Sequence, residues 1–283
     1  MKKRIFITLQ YLLPQTALSR LSGYAMESRR SWWKNWLIKC FIKTYQVDMS
    51  CAINSDPTSY PSFNAFFTRE LKPVARPIAS DIKQICSPAD GTISQMGNIQ
   101  QGRIIQAKGF DFSVSELLGG NILAAEQFNA GVFATIYLAP KDYHRVHMPM
   151  TGTLKQMIYI PGKLFSVNDT TAQYVPRVFA RNERVVCLFE TDVGPMAVIL
   201  VGAFFVASIV TSWAGTVAPG DLDSIQVTNY QPGSVRLAKG AEVGYFKLGS
   251  TAIVLFPKNT VNWLPSLGTG STVQMGQVMG ELR

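Results

Sequence analysis

The feature that most constrains the fold is an uncharged run over residues 193–217, VGPMAVILVGAFFVASIVTSWAGTV. The run is long enough to form a membrane-spanning helix. Its composition favours buried strands, because Val, Ile and Phe dominate it and Gly194, Gly202 and Gly215 interrupt it. We therefore expect two fully buried strands that meet near Gly202, and not a membrane span.

The rest of the chain divides into a helical start and a β-rich remainder. Helices are predicted over 3–22 and 28–46, and a short one over 62–71 with Ser62 as its N-cap. We expect an α+β protein with an N-terminal region over 1–58 and a mostly antiparallel, β-sandwich or barrel-like body over 59–283. Strands are predicted around 91–97, 103–107, 132–138, 152–159, 184–190, 196–201, 204–210, 242–246 and 252–256.

The basic charge is concentrated at the start of the chain. Residues 1–50 hold nine Lys or Arg against two acidic residues, which is +7 of the total +9. One helical face there combines apolar and aromatic residues, namely Trp33, Trp36, Leu37, Cys40 and Phe41. This pattern suits an amphipathic helix at an anionic lipid surface, and equally a helix packed on its own core with a solvated basic face. Nucleic acid is a weaker option, because no binding motif accompanies the charge.

The apolar stretch at the N-terminus is interrupted early. Gln10 and Pro14 break the stretch that begins MKKRIFITLQYLL, and no convincing cleavage site of small residues follows closely. A secretory signal peptide is therefore poorly formed here.

Cysteine and histidine usage limits the chemistry. Four scattered cysteines without a CxxC pair make a disulfide scaffold or a thiolate zinc site a poor fit. His144 and His147 are the only histidines, so any imidazole chemistry must use them. With Asp142 nearby they could ligate a metal, act as general bases, or simply lie on a surface loop.

Two further residues carry little information when read alone. Asp90 in Ser-Pro-Ala-Asp-Gly is first a turn signal, and Ser250 in Leu-Gly-Ser-Thr is also typical of a turn. The GxSxG nucleophile elbow, the P-loop and the dinucleotide fingerprint are all absent from the sequence.

Several segments taken together are far more specific than any one of them. They are FFTRELKPVARPI (66–78), SPADGTI (87–93), YHRVHMP (143–149), PGKLFSVN (161–168), RNERVV (181–186) and the run from Gly240 to Thr251. In this order, and across most of the chain, they resemble the phosphatidylserine decarboxylase proenzymes of the bacterial membrane-associated, pyruvoyl-dependent type. The segment 201–209 departs from the family pattern at Ala207, where a glycine is expected.

The resemblance implies a self-processing triad of Asp90, His147 and Ser250. His147 would take the Ser250 hydroxyl proton, and Asp90 would orient and support the imidazolium. Ser250 Oγ would attack the Gly249 carbonyl, and the resulting ester would eliminate and hydrolyse to a pyruvoyl group with release of ammonia. The pieces would be residues 1–249 and 250–283, with the pyruvoyl cofactor replacing Ser250.

The resemblance also implies a catalytic role for the β-rich body. The pyruvoyl group would form a Schiff base with the serine amine of phosphatidylserine, and the product after loss of carbon dioxide would be phosphatidylethanolamine. His144 would assist decarboxylation or reprotonation. The expected partners are phosphatidylserine, an anionic membrane surface and the chain's own two fragments, which could dimerise again; no metal and no nucleic acid are expected. The N-terminal helices would dock the protein peripherally on the cytoplasmic face of the inner membrane.

Three alternatives remain open from the residues themselves. The first is a pyruvoyl-dependent decarboxylase of a soluble amino acid. The second is a non-enzymatic, carrier-like β domain around 240–256 in which Ser250 is a turn residue. The third is an integral membrane protein that uses residues 193–217 as a span.

Overall fold

A computed structural model describes residues 2–107, 109–204, 208–219, 223–247 and 249–283. The helices are α1 (Lys2–Leu12), α2 (Gln15–Glu27), α3 (Ser31–Tyr45), α4 (Phe63–Phe67), α5 (Val114–Leu117), α6 (Ile122–Gln127), α7 (Asp169–Tyr174) and α8 (Val178–Arg181). The first strands are β1 (Gln84–Cys86), β2 (Gly91–Asn98), β3 (Arg103–Ala107), β4 (Phe110–Ser113), β5 (Val132–Leu138), β6 (Arg145–His147), β7 (Gly152–Ile160), β8 (Arg184–Thr191) and β9 (Gly194–Gly202). The remaining strands are β10 (Ile209–Thr211), β11 (Gly215–Ala218), β12 (Gln226–Asn229), β13 (Arg236–Leu237), β14 (Glu242–Phe246), β15 (Ser250–Phe256), β16 (Val261–Trp263), β17 (Thr272–Val273) and β18 (Val278–Leu282).

The N-terminal region has one more helix than the sequence predicts. The single helix expected over 3–22 is wrong, because the chain breaks after α1 and restarts as α2 behind Pro14. Proline lacks an N–H donor and disfavours helical geometry in the residue before it. The helix over 28–46 is confirmed as α3. Ser62 is the N-cap of α4 as expected, and its side chain accepts the Ala65 N–H at 3.2 Å, although α4 already ends at Phe67.

A large antiparallel sheet forms the centre of the body. Its strand order is β12-β7-β8-β9-β15-β5-β2-β17, and β13 also pairs with β7. The expected α+β class with a mostly antiparallel body is confirmed. The barrel-like alternative does not hold, since across the described ranges this sheet runs from β12 to β17 without closing.

Both faces of the central strands are covered, which explains the apolar runs in the sequence. Along β15, Ala252 and Val254 belong to one core cluster, whereas Ile253 and Leu255 belong to the cluster on the other face. A strand buried on both sides needs no polar alternation.

The run 193–217 forms strands, as expected. It contains β9, β10 and most of β11. Of the predicted strand over 204–210, Ile209 and Val210 lie in β10, whereas residues 205–207, with the Ala207 departure, lie outside the described residues. Among the helices that the structure describes, none is long and apolar enough to cross a membrane.

Two smaller sheets adjoin the large one along the chain. The first has the order β11-β10-β14-β6, and the segment after β14 leads into β15. The second has the order β1-β18-β16. The strands that follow β15 therefore return to early parts of the chain, with β17 on β2 and β18 on β1.

Helix α3 packs against α4 and also exposes aromatic side chains. Leu37 and Phe41 pack on a cluster that includes Phe63, Phe66 and Phe67. On the other side Trp32 is 69% exposed and Trp36 is 55% exposed. The predicted apolar face is thus divided between the protein core and solvent. The domain boundary after residue 58 stays a prediction.

Candidate functional site

Ser250 opens the central strand β15, between Leu138 of β5 and Gly202 of β9. The residue is fully buried, and within the described residues its Oγ has no hydrogen-bond partner. The preceding Gly249 has φ +29°, in the left-handed region, and a Cβ added there would meet nothing closer than 4.0 Å. The backbone conformation, and not lack of space, therefore favours glycine at this position.

A cavity of about 470 Å³ lies beside Gly249 and Ser250. One wall comes from the N-terminal helices and carries Phe6, Leu9, Gln10, Leu13 and Tyr45. The body supplies the other lining residues, namely Tyr137, Leu138, Pro140, Ser166, Val167, Asn168, Ala203 and Phe204. The helical region thus contributes directly to the space around the candidate nucleophile.

His144 is a buried neutral base. Its Nδ1 lies 2.8 Å from the Asp142 carbonyl oxygen, and its ring centroid is 4.0 Å from that of Phe67. A carbonyl can only accept, so Nδ1 carries the proton and Nε2 keeps its lone pair. Among the described residues Nε2 has no partner. Burial lowers the pKa of His144 from 6.5 to about 3, so the ring is uncharged at neutral pH.

The low pKa of His144 predicts a loss of stability in acid. Between pH 6.5 and about 3 the unfolded chain binds a proton at this residue that the folded chain does not bind. This contribution to the free energy of unfolding therefore falls as the pH falls, by up to about 1.4 kcal/mol per pH unit. Unfolding midpoints of the wild type and His144→Asn between pH 7.5 and 4.5 check this. The variant should lose less stability in acid, and parallel curves would contradict the expectation.

His147 lies on β6 and is held on both ring nitrogens. Nδ1 is 2.8 Å from the Gly240 carbonyl oxygen and therefore carries the proton. Nε2 then accepts the hydrogen bond from the Tyr143 hydroxyl at 3.1 Å. Burial lowers the pKa of His147 and raises that of Tyr143, so both groups are neutral near pH 7.

Asp90 precedes β2 and is held by an ion pair. The Arg76 guanidinium donates to both carboxylate oxygens, with Nε at 2.9 and 3.0 Å and Nη2 at 2.5 Å. The Met275 N–H donates to Oδ1 at 2.8 Å. Asp90 lines a second cleft, of about 270 Å³, together with Asp142 and Tyr143. This arrangement fixes the carboxylate and occupies its lone pairs.

The structure places Asp90 and Ser250 beside different cavities and does not join the predicted residues. Burial is the main cause that lowers the pKa of His147, and the charge of Asp90 opposes it only weakly, behind the Gly240 hydrogen bond and the charge of Glu242. Within the described ranges, however, no hydrogen bond links Asp90, His147 and Ser250 to one another. Their assignment as a triad, and that of His144 as an assisting base, stays a prediction. Among all the described residues, no group of three His, Cys, Asp or Glu is placed to hold a metal ion.

The sequence reasoning missed two contacts of these residues. Arg76 binds Asp90, and Tyr143 binds His147. Arg76 lies in the segment 66–78 and Tyr143 in the segment 143–149, both of which carry the family resemblance. The signal in the sequence is that each of them is a polar residue inside such a segment.

The residues around Ser250 fit a covalent group derived from that residue. A buried hydroxyl without a partner, next to a glycine carbonyl, is suited to attack within the chain. The adjoining cavity leaves room for a ligand at the same position.

Comparison with known proteins places the whole chain in one family. A family model described as "Phosphatidylserine decarboxylase" matches residues 63–281, and a second, described as "PSD", matches residues 5–46. The phosphatidylserine decarboxylase proenzyme of Pseudomonas putida (strain GB-1) is 58% identical over 99% of both chains. Those of Ectopseudomonas mendocina (strain ymp) and Pseudomonas fluorescens (strain Pf0-1) are 58% and 57% identical, each over 99% of both chains. The chain therefore belongs to the phosphatidylserine decarboxylase family.

Proposed function

We propose that this protein decarboxylates phosphatidylserine to phosphatidylethanolamine, using a pyruvoyl group made from its own Ser250. Family membership supports the reaction. The observation that carries the cofactor assignment is the buried, unpartnered Ser250 hydroxyl beside Gly249 and the cavity. The relatives' description as proenzymes agrees with a chain that is processed.

Self-cleavage would begin with proton transfer from Ser250 Oγ to an imidazole nitrogen. Oγ bonds to the Gly249 carbonyl carbon, the Gly249–Ser250 C–N bond breaks, and the freed nitrogen takes up the proton. Loss of the Ser250 Cα proton with cleavage of the Cβ–O bond then releases the Gly249 carboxylate and leaves dehydroalanine at residue 250. Water adds to the imine tautomer of that residue and ammonia leaves, which gives the pyruvoyl group. For His147 to serve as the base, the Tyr143 hydroxyl must leave its Nε2.

In the decarboxylation, His144 has the features of a proton carrier. The pyruvoyl group, once formed, supplies an electron sink for the carbanion that loss of carbon dioxide leaves behind. His144 Nε2 offers a lone pair in a buried environment, held in one tautomer by the Asp142 carbonyl. Because its pKa is lowered to about 3, it would hold a proton only transiently, taking one from the substrate amine and returning it to the carbon that has lost its carboxylate.

The lipid substrate and peripheral membrane docking are supported by the N-terminal helices. Residues 1–50 carry +7, and Trp32 and Trp36 are exposed there. The same region provides Phe6, Leu9 and Leu13 as one wall of the Ser250 cavity. In this proposal the protein lies on the cytoplasmic face of the inner membrane with the cavity turned toward the lipid surface.

The exposed tryptophans predict a measurable membrane contribution. Trp32→Ala with Trp36→Ala should weaken binding to vesicles containing phosphatidylserine by about tenfold, because two large interfacial side chains are lost. Vesicle cosedimentation measures this, with Ile82→Ala as the control because Ile82 is 75% exposed on the body. Equal losses in both variants, or none in the tryptophan variant, would argue against docking through α3.

The reaction is tested by product analysis with two substrates. The purified protein should convert phosphatidylserine in mixed micelles to phosphatidylethanolamine, and it should release no carbon dioxide from free serine. Turnover of free serine alone would favour the soluble amino acid alternative. The carrier-like alternative is set aside, because the whole chain belongs to a decarboxylase family.

A further inference from the structure

Two buried glutamines stand at the corner between α1 and α2. Gln10 is 4% exposed and Gln15 is 7% exposed, on either side of Pro14. Gln10 Oε1 accepts the Ser166 N–H at 2.9 Å, and Gln15 Oε1 accepts the Leu164 N–H at 2.9 Å. Gln15 Nε2 also donates to the Gln10 carbonyl at 2.5 Å, which ties the two helices together.

The loop over 161–168 that receives these bonds is anchored to the body on its other side. Asn182 Oδ1 accepts the Phe165 N–H at 3.1 Å, and its Nδ2 donates to the Phe165 carbonyl at 2.8 Å. The same Nδ2 donates to the Gly202 carbonyl at 2.9 Å. Gly202 is paired with Ser250 in the central sheet. A continuous chain of contacts thus runs from the helix corner to the strand beside the candidate nucleophile.

The corner and the loop both line the Ser250 cavity. Leu9, Gln10 and Leu13 line it from the helices, and Ser166 and Val167 line it from the loop. An aromatic contact between the same two elements joins Tyr11 and Phe165, whose ring centroids are 5.0 Å apart. The shape of the cavity therefore depends on how firmly the corner is held against the loop.

We propose that Gln10 and Gln15 are positioning residues that fix the α1–α2 corner against the loop over 161–168 and so set the Ser250 cavity for its lipid substrate. This inference rests on the proposed function. Self-cleavage uses atoms of residues 249 and 250 and an imidazole, so it does not require the corner. Lipid turnover needs both cavity walls and therefore depends on these bonds.

The test separates substrate binding from chemistry. Gln10→Met and Gln15→Met remove the acceptor oxygens but keep the length of the side chains. Each should raise KM for phosphatidylserine in mixed micelles by about tenfold, leave kcat within about twofold, and leave self-cleavage complete. Gln10→Glu keeps an acceptor for the Ser166 N–H and should restore most of the affinity.

Gln106→Met is the matched control. Gln106 is also buried, and it binds the backbone of Ala172, Val175 and Val178 without lining the Ser250 cavity. It should lower the melting midpoint and leave KM unchanged. An unchanged KM in Gln10→Met and Gln15→Met, or an equal rise in Gln106→Met, would overturn the positioning role. A wild-type enzyme that turns over no phosphatidylserine would overturn the proposed function itself, and this inference with it.

Discussion

Ser250→Ala will leave the chain in one piece and abolish decarboxylation. The substitution removes the only proposed nucleophile and also the residue from which the pyruvoyl group would be made. Loss of such a group reduces the rate by about 10⁴-fold or more, so no cleavage should be detectable over days. Mass spectrometry under denaturing conditions distinguishes an intact chain of 283 residues from fragments divided between Gly249 and Ser250.

Thr251→Val is the matched control for this variant. Thr251 is the next residue of β15 and is also fully buried, with a hydroxyl that has no partner among the described residues. Its side chain points to the opposite face of the sheet, and valine has almost the same shape. This variant should cleave normally and retain activity. Cleavage of Ser250→Ala at the same bond would refute the assignment of Ser250.

His144→Asn should separate the two stages of the chemistry. Asparagine can still donate to the Asp142 carbonyl, but it lacks the basic nitrogen that His144 offers at Nε2. We expect the chain to cleave, because His147 is the proposed base for that step. The decarboxylation rate of the cleaved protein should fall by about 10²–10⁴-fold, the usual contribution of a positioned acid or base.

The corresponding variant at His147 tests the other half of this division of roles. His147→Asn should slow self-cleavage, so that uncut chain accumulates in a time course analysed by gel electrophoresis. A His144→Asn protein that remains uncut, or one that cleaves and keeps full decarboxylase activity, would show that the roles of the two histidines are wrongly divided. Melting midpoints within a few degrees of the wild type would show that both variants fold.

The central strands of the body could be predicted because strands buried on both faces appear in the sequence as continuous apolar runs. β15 and β9 lie between two core clusters, so nearly every position is apolar and the run is readable without an alignment. Pro14 also indicates a helix break after α1. The helical periodicity on both sides of Pro14 nevertheless favours a single helix, which is why the sequence predicts one helix. The open edges of the large sheet depend on strand order, which local sequence does not encode.

For the candidate site, the sequence identified the residues but not all of their contacts. Asp90, His144, His147 and Ser250 could be proposed because the segments around them carry a family resemblance. The partners that come from distant parts of the chain could not be proposed in this way. His147 binds the Gly240 carbonyl, and Asp90 accepts a bond from the Met275 N–H. Such contacts exist only once the sheets have assembled.

The position of β15 has a consequence for how the mature protein can be made. The segment after the proposed cut supplies a central strand between β5 and β9, and its later strands pair with β1 and β2. Separating the two pieces would break those ladders and open both core clusters, so dissociation would amount to unfolding. The intact chain must therefore fold before it is cut, and the two pieces then stay together. Pieces synthesised separately would not readily complement each other, and mature molecules would not exchange them.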